Sequence, residues 1–122
     1  MKVVVCGSRH WTDRFTMYQR LSELPVDATV IQGECDGADV MACKIALEIA
    51  LEVVGFYPAW KKYGKPAGPK RNIRMLNTNP SLVLAFHDDL DKSKGTKHIV
   101  GEARKRGIKV EVIGSKENTD VD

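Results

Sequence analysis

The sequence predicts an α/β protein: a Rossmann-like, three-layer α/β/α domain built on a doubly wound, five-stranded parallel sheet. Two observations carry that prediction. Short apolar, β-branched runs recur along the chain, and a helix-period segment separates each run from the next. The runs do not alternate apolar and polar residues, the pattern of strands covered on both faces. Right-handed crossovers favour strand order 3-2-1-4-5, with 2-1-3-4-5 as the competitor.

The elements follow in chain order. Lys2–Cys6 is a buried strand stopped by Gly7. Thr12 or Asp13 caps a first helix with Phe15, Tyr18, Leu21 and Leu24 on one face, ended by Pro25. Ala28–Gln32 is the second strand, closed by Gly33. A second helix starts at Asp36 or Asp39 and runs to about Ala50, apolar except for a Lys44/Glu48 stripe. Leu51–Tyr57 is the third strand. A glycine- and proline-punctuated loop, PAWKKYGKPAGPKRN, leads to a third helix starting near Pro69 and ending before Asn79-Pro80. Ser81–Phe86 is the fourth strand, and HDDLDKSKG a polar, mobile loop. Thr96–Arg106 is the fourth helix, stopped by Gly107, and Ile108–Ile113 the fifth strand. Residues 1–114 are expected to form a single domain, and 115–122 a polar, frayed tail.

Composition narrows the function classes. In 122 residues, 43% are hydrophobic and 29% charged, ordinary for one globular domain. The net charge of +3 permits an anionic ligand without requiring one. Three cysteines, Cys6, Cys35 and Cys43, have neither disulfide-like nor metal-like spacing, which points to a reducing compartment. No leader pattern opens the chain. The longest apolar run, Ile45–Phe56, is broken by Glu48 and Glu52 and is too short to span a bilayer. The expected location is cytoplasmic, with no membrane partner. His10, His87 and His98 lack metal-like spacing, so no metal site is expected.

In such a sheet every strand ends at the same edge, and ligands bind outside the carboxyl ends. Gly7-Ser8-Arg9 follows the first strand, and Gly33-Glu34-Cys35-Asp36-Gly37-Ala38-Asp39 the second. The loop from Trp60 to Asn72 follows the third, and Gly95-Thr96 lies after the fourth. Topology alone brings these residues to one rim, and their chemistry suits a phosphate. Helix N-termini present unpaired N–H groups, and glycine lets an anion approach them. Ser8 and Thr96 add hydroxyls, and Arg9 or Arg71 a planar fork. Trp60 or Tyr63 can stack on a base, and Asp39 or Glu34 can accept from a ribose hydroxyl. Each feature also has a plainer role: turn glycines, helix caps at Asp36, Asp39, Ser8 or Thr96, a tryptophan covering the sheet edge. Neither G-x-G-x-x-G nor G-x-x-x-x-G-K-[ST] is present, which argues against a typical dinucleotide reductase or P-loop ATPase.

The ordered set VVCGSRHWTD, GECDGAD, PAWKKYGKPAGPKRN and a helix-opening GT resembles the SLOG superfamily, and within it the small YspA/YpsA-like branch. The superfamily also holds the Lonely Guy phosphoribohydrolases and DNA-processing protein A. The resemblance covers about residues 1 to 113. It implies a Rossmann-like fold that binds nucleotides or nucleotide-derived ligands, and a homodimer paired through helices flanking the site. It places Gly7, Ser8 and Arg9 at the first phosphate-facing turn and Gly33, Gly37 and Asp39 in the second loop. Arg71 and Asn72 fall on the third helix, and Gly95-Thr96 at the phosphate-binding helix start. The pattern departs from the family at Glu34-Cys35, where a second glycine and an alanine are more common. It also lacks the catalytic glutamate that follows the threonine in the Lonely Guy enzymes. Glu102 lies about two helical turns further on.

Three functions are therefore expected, in this order. The first is a nucleotide-binding module that senses, sequesters or processes its ligand, with the nucleotide as ligand or substrate and no separate cofactor. The second is a phosphoribohydrolase acting on nucleoside 5′-monophosphates, with Arg71 holding charge and Glu34 or Asp39 stabilising an oxocarbenium-like ribose. The third is single-stranded DNA binding through the basic, aromatic run Trp60–Lys70.

Overall fold

Among the described residues, five strands form one sheet: β1 (Lys2–Gly7), β2 (Thr29–Gln32), β3 (Glu52–Gly55), β4 (Leu82–Phe86) and β5 (Lys109–Ile113). Helices α1 (Arg14–Ser22), α2 (Ala38–Glu48), α3 (Trp60–Tyr63), α4 (Ala67–Leu76) and α5 (Lys94–Lys105) connect them. The computed structural model describes residues 1–116; the rest of the expected tail, 117–122, lies outside the described residues. All strand pairs are parallel, and the order is β3-β2-β1-β4-β5, the favoured order rather than its competitor.

The central strands carry the longest uninterrupted apolar runs. Every residue of β4, and Val3 to Cys6 of β1, is buried. Successive side chains alternate between two cores. Val3, Val5 and Phe86 join Met17 and Leu21 of α1 and Ile45 of α2 on one face. Val4, Cys6 and Val83 join Met75 and Leu76 of α4 and Ile99 and Val100 of α5 on the other. Such layers are the α/β/α solution for a sheet apolar on both faces. Bidentate Arg20–Glu111 bonds, both 3.0 Å, tie α1 to β5.

Several local expectations are corrected. In α1 the buried stripe is Met17, Leu21 and the following Leu24, whereas Phe15 is 68% exposed and Tyr18 lies at the surface under Arg14. Phe15 and Tyr18 share the i, i+3 relation of the buried set but lie off it; Met17 and Leu21 are the residues that meet Val3, Val5 and Phe86 of the sheet. The cap of α2 is Gly37; Asp36 lies outside the helix, and Asp39 is buried within its first turn. Part of the loop after β3 folds as α3, and α4 begins at Ala67 rather than Pro69. A 3-10 turn at Leu90–Lys92 occupies the loop after β4. Ser93, not Thr96, caps α5: its hydroxyl accepts from the Thr96 N–H at 3.1 Å. The start of the expected frayed tail is tied down. Ser115 N–H donates to Asp88 at 2.6 Å and Lys116 N–H to Asp13 at 2.8 Å. None of the described helices is long and apolar enough to cross a membrane.

Candidate functional site

The sheet order places a switch point between β1 and β4, where connections leave toward opposite faces. A cavity of about 630 Å³ opens there. Its floor is the end of β1, Cys6 and Gly7, continuing into Ser8 and Arg9. Its walls are the start of α4, with Arg71 and Asn72, and the start of α5, with Gly95 and Thr96. Asp39 enters from α2, and Trp60 covers the mouth, its ring edge 3.4 Å from where a Cβ on Gly68 would stand. Nine expected residues therefore meet in one cavity: Gly7, Ser8, Arg9, Asp39, Trp60, Arg71, Asn72, Gly95 and Thr96.

Gly33, Gly37 and Glu34 do not line this cavity. Gly33 leaves room for the Arg71 guanidinium, whose Nη1 donates to the Gly33 carbonyl at 2.5 Å. Gly37, at φ +80°, abuts the Ser8 and Arg9 carbonyls. Glu34, itself at φ 59°, lines a second cavity of about 370 Å³ with Asp36, Tyr57 and Pro58. Arg9, Cys35 and Trp60 belong to both cavities.

A buried polar relay holds the site in shape. Asp39 Oδ2 accepts from the Gly33 N–H at 3.1 Å and the Cys35 N–H at 3.3 Å, folding the loop after β2 over the helix start. Arg71 Nε donates to Asn72 Oδ1 at 2.9 Å. With that oxygen engaged, Asn72 Nδ2 donates to the Gly95 carbonyl at 3.2 Å and faces His98 Nδ1 at 3.2 Å. His98 Nδ1 is then the acceptor, which leaves the proton of the neutral ring on Nε2. The loop after β2, α4 and α5 are thus coupled through side chains that are 7% (Arg71) and 3% (Asn72) exposed.

The electrostatics differ along the cavity. Burial pushes the Asp39 carboxyl up to about 6, although the Cys35 N–H, Arg71 and the Gly33 N–H pull the other way. Burial, reinforced by Asp39, also raises the Cys6 thiol, which therefore stays protonated. Arg9 is exposed and makes no hydrogen bond or ion pair among the described residues. Lys65, Lys92 and Lys94 line the mouth. The Lys94 and Gly95 N–H groups at the start of α5 have no hydrogen-bond partner among the described residues. The arrangement can hold an anion at α5 while keeping one carboxyl near its titration point inside the cavity.

Sequence reasoning did not assign Lys65, Lys92, Ser93, Lys94 or His98 to the cavity. The signal for Ser93 was its position three residues before Thr96, the spacing of an N-cap. Lys65 and Lys94 sit beside glycines and prolines of the segments placed on the rim, and Lys92 lies in the polar loop between β4 and α5. Glu102 pairs with Lys105 on the outer part of α5 and does not line the cavity.

Fold and site together define a Rossmann-like domain with a cationic cavity at its switch point. The model of the YspA, cpYpsA-related SLOG family (YAcAr) matches residues 1–63. The Gene 61 protein of Mycobacterium phage D29 is 36% identical over 124 residues, covering 94% of this chain and 98% of that protein. The chain belongs to this SLOG family. DNA processing protein A (DprA) from Streptococcus pneumoniae shares the fold, with a TM-score of 0.77 at 18% identity. That match covers 96% of this chain, which spans about half, 52%, of the DprA chain. Family membership supports a nucleotide- or nucleic-acid-related function in general terms.

Proposed function

We propose that the protein binds a nucleotide or nucleotide-derived ligand in the cavity between β1 and β4, with a phosphate at the start of α5. The observation that carries this reading is the convergence of unpartnered donors there. Arg9 and the N–H groups of Lys94 and Gly95 reach the cavity from two elements, with no acceptor for any of them among the described residues. A volume of about 630 Å³ suits a ligand of nucleotide size. Trp60, 55% exposed at the mouth, offers an aromatic face for a base.

Thermal shift and calorimetry with nucleoside mono-, di- and triphosphates test the reading, with products followed by liquid chromatography in the same samples. Binding with intact ligand is the expected result; no shift and no heat with any of them overturns it.

Asp39 favours a second reading, phosphoribohydrolase chemistry on a nucleoside 5′-monophosphate. It is buried in the cavity with its carboxyl held near 6, so it can exist in either protonation state at working pH. Release of free base in the same samples would support it. Single-stranded DNA binding ranks third. Lys61, Lys62 and Lys65 accompany exposed Tyr57, Trp60 and Tyr63, and affinity for an oligonucleotide would fall steeply with salt.

A further inference from the structure

The two cavities at the carboxyl edge share a wall and differ in the charged residues that complete them. The larger is bordered by Lys92, Lys94 and the start of α5. The smaller is bordered by Glu34 and Asp36 and by Tyr57, which is 70% exposed. Arg9 and Trp60 stand between them. The Glu34 side chain lies against Gly55 at the end of β3, where a Cβ would collide with its carboxylate. Neither Glu34 nor Asp36 uses its carboxylate in a hydrogen bond or ion pair among the described residues.

A second phosphate group in the smaller cavity would meet two carboxylates. A cation there would meet Arg9. A neutral, hydroxyl-rich group satisfies both, because hydroxyls donate to carboxylates and accept from a guanidinium. The exposed face of Tyr57 suits the C–H surface of a sugar ring. Building on the nucleotide reading above, we propose that the ligand is two-headed. Its phosphates lie at Arg9 and α5, and a sugar on their far side occupies the cavity of Glu34, Asp36 and Tyr57.

The test compares two ways of extending one nucleoside diphosphate, measured by calorimetry. ADP, ATP and ADP-ribose form one series; UDP, UTP and UDP-glucose form the other. The sugar-extended ligand is expected to bind about tenfold more tightly than the triphosphate in at least one series, the gain of one good polar contact over one like-charge repulsion. That ratio should fall toward one in a Glu34→Gln/Asp36→Asn double variant. It should fall in Tyr57→Ala as well, a surface change that leaves the carboxylates in place. A triphosphate that binds as tightly as the sugar-extended ligand in both series overturns the two-headed ligand and leaves the nucleotide reading standing. A preference that survives both variants also overturns it, since the sugar would then lie elsewhere. If no member of either series binds, both readings fall.

Discussion

The Arg71 guanidinium lies across the Cα of Gly33: a Cβ at Gly33 would stand 2.6 Å from Nη1 and 2.8 Å from Cζ. The glycine thus makes space for a buried cation rather than for a ligand. Arg71 fixes both the Gly33 carbonyl and Asn72, and through Asn72 the start of α5. Gly33→Ala should push the guanidinium off these partners and cost about 1–3 kcal/mol, the usual range for overpacking a filled site. Chemical denaturation checks this. Arg71→Lys should not reproduce the native network, because an ammonium lacks the fork that reaches two partners at once. An unchanged unfolding midpoint in Gly33→Ala would show that Arg71 is not held there.

Gly37 makes the same point through the backbone. Its φ of +80° disfavours any side chain, and a Cβ would stand 2.4 Å from the Ser8 and Arg9 carbonyl oxygens. Gly37→Ala should cost on the order of 3 kcal/mol, strain plus collision. It should also move the turn that presents Ser8 and Arg9, so ligand affinity falls with stability. Full stability in this variant would contradict the geometry of the turn.

These two glycines show how far the sequence could be read. The two apolar faces and the nine cavity residues followed from topology, because a parallel sheet brings every strand end to one edge, whereas the strand order was legible only as one of two. What a glycine there contacts did not follow. Gly33 and Gly37 read as ligand positions, yet their neighbours are Arg71, from a segment 38 residues on, and the turn after β1. Such long-range contacts leave no local pattern. The face of α1 is hidden for a related reason: Phe15, Tyr18 and Leu21 also fit a helical stripe, and the long-range packing of Met17 and Leu21 on Val3, Val5 and Phe86 decides which stripe turns inward. Ser93 was legible as an N-cap by spacing, but the adjacent Gly-Thr drew the helix start to Thr96.

Asp39 makes a signed pH prediction. Its carboxyl is held at about 6 against an ordinary value of 3.8, so burying its charged form costs stability at neutral pH. That cost, about 3 kcal/mol by linkage, is absent below the ordinary value and grows as pH rises from roughly 4 to 6. Asp13 and Glu111 act in the opposite direction. Burial raises Asp13, but hydrogen bonds from Thr16 and the Lys116 N–H outweigh it; Arg20 holds Glu111 low. Both lose stability on acidification. The wild type minus Asp39→Asn difference removes these shared contributions. Between pH 4 and 6 the wild type should lose stability relative to the variant as pH rises. A difference that is flat with pH would mean that Asp39 titrates normally.

Arg9 separates binding from folding. It is exposed and without a hydrogen-bond or ion-pair partner among the described residues, so Arg9→Ala should leave stability within about 0.5 kcal/mol of wild type. If its guanidinium meets a phosphate, the same change should weaken nucleotide binding by more than about tenfold, the loss of one charge-assisted contact. Calorimetry with the best ligand from the panel decides it. Unchanged affinity would move the phosphate away from the turn after β1.

Gly95 gives the sharpest contrast, since fold and ligand make opposite demands on it. It sits in the first turn of α5, and a Cβ there would meet nothing within 4 Å. Alanine is the better helix former, so Gly95→Ala should stabilise the free protein by up to about 1 kcal/mol. The same open space is where a phosphate would approach the Lys94 and Gly95 N–H groups, and a methyl group would hold it off. The variant should therefore melt higher yet bind nucleotide about tenfold more weakly, the loss of a charge-assisted hydrogen bond. Higher stability with undiminished affinity would place the phosphate elsewhere in the cavity and leave Arg9 as its remaining anchor.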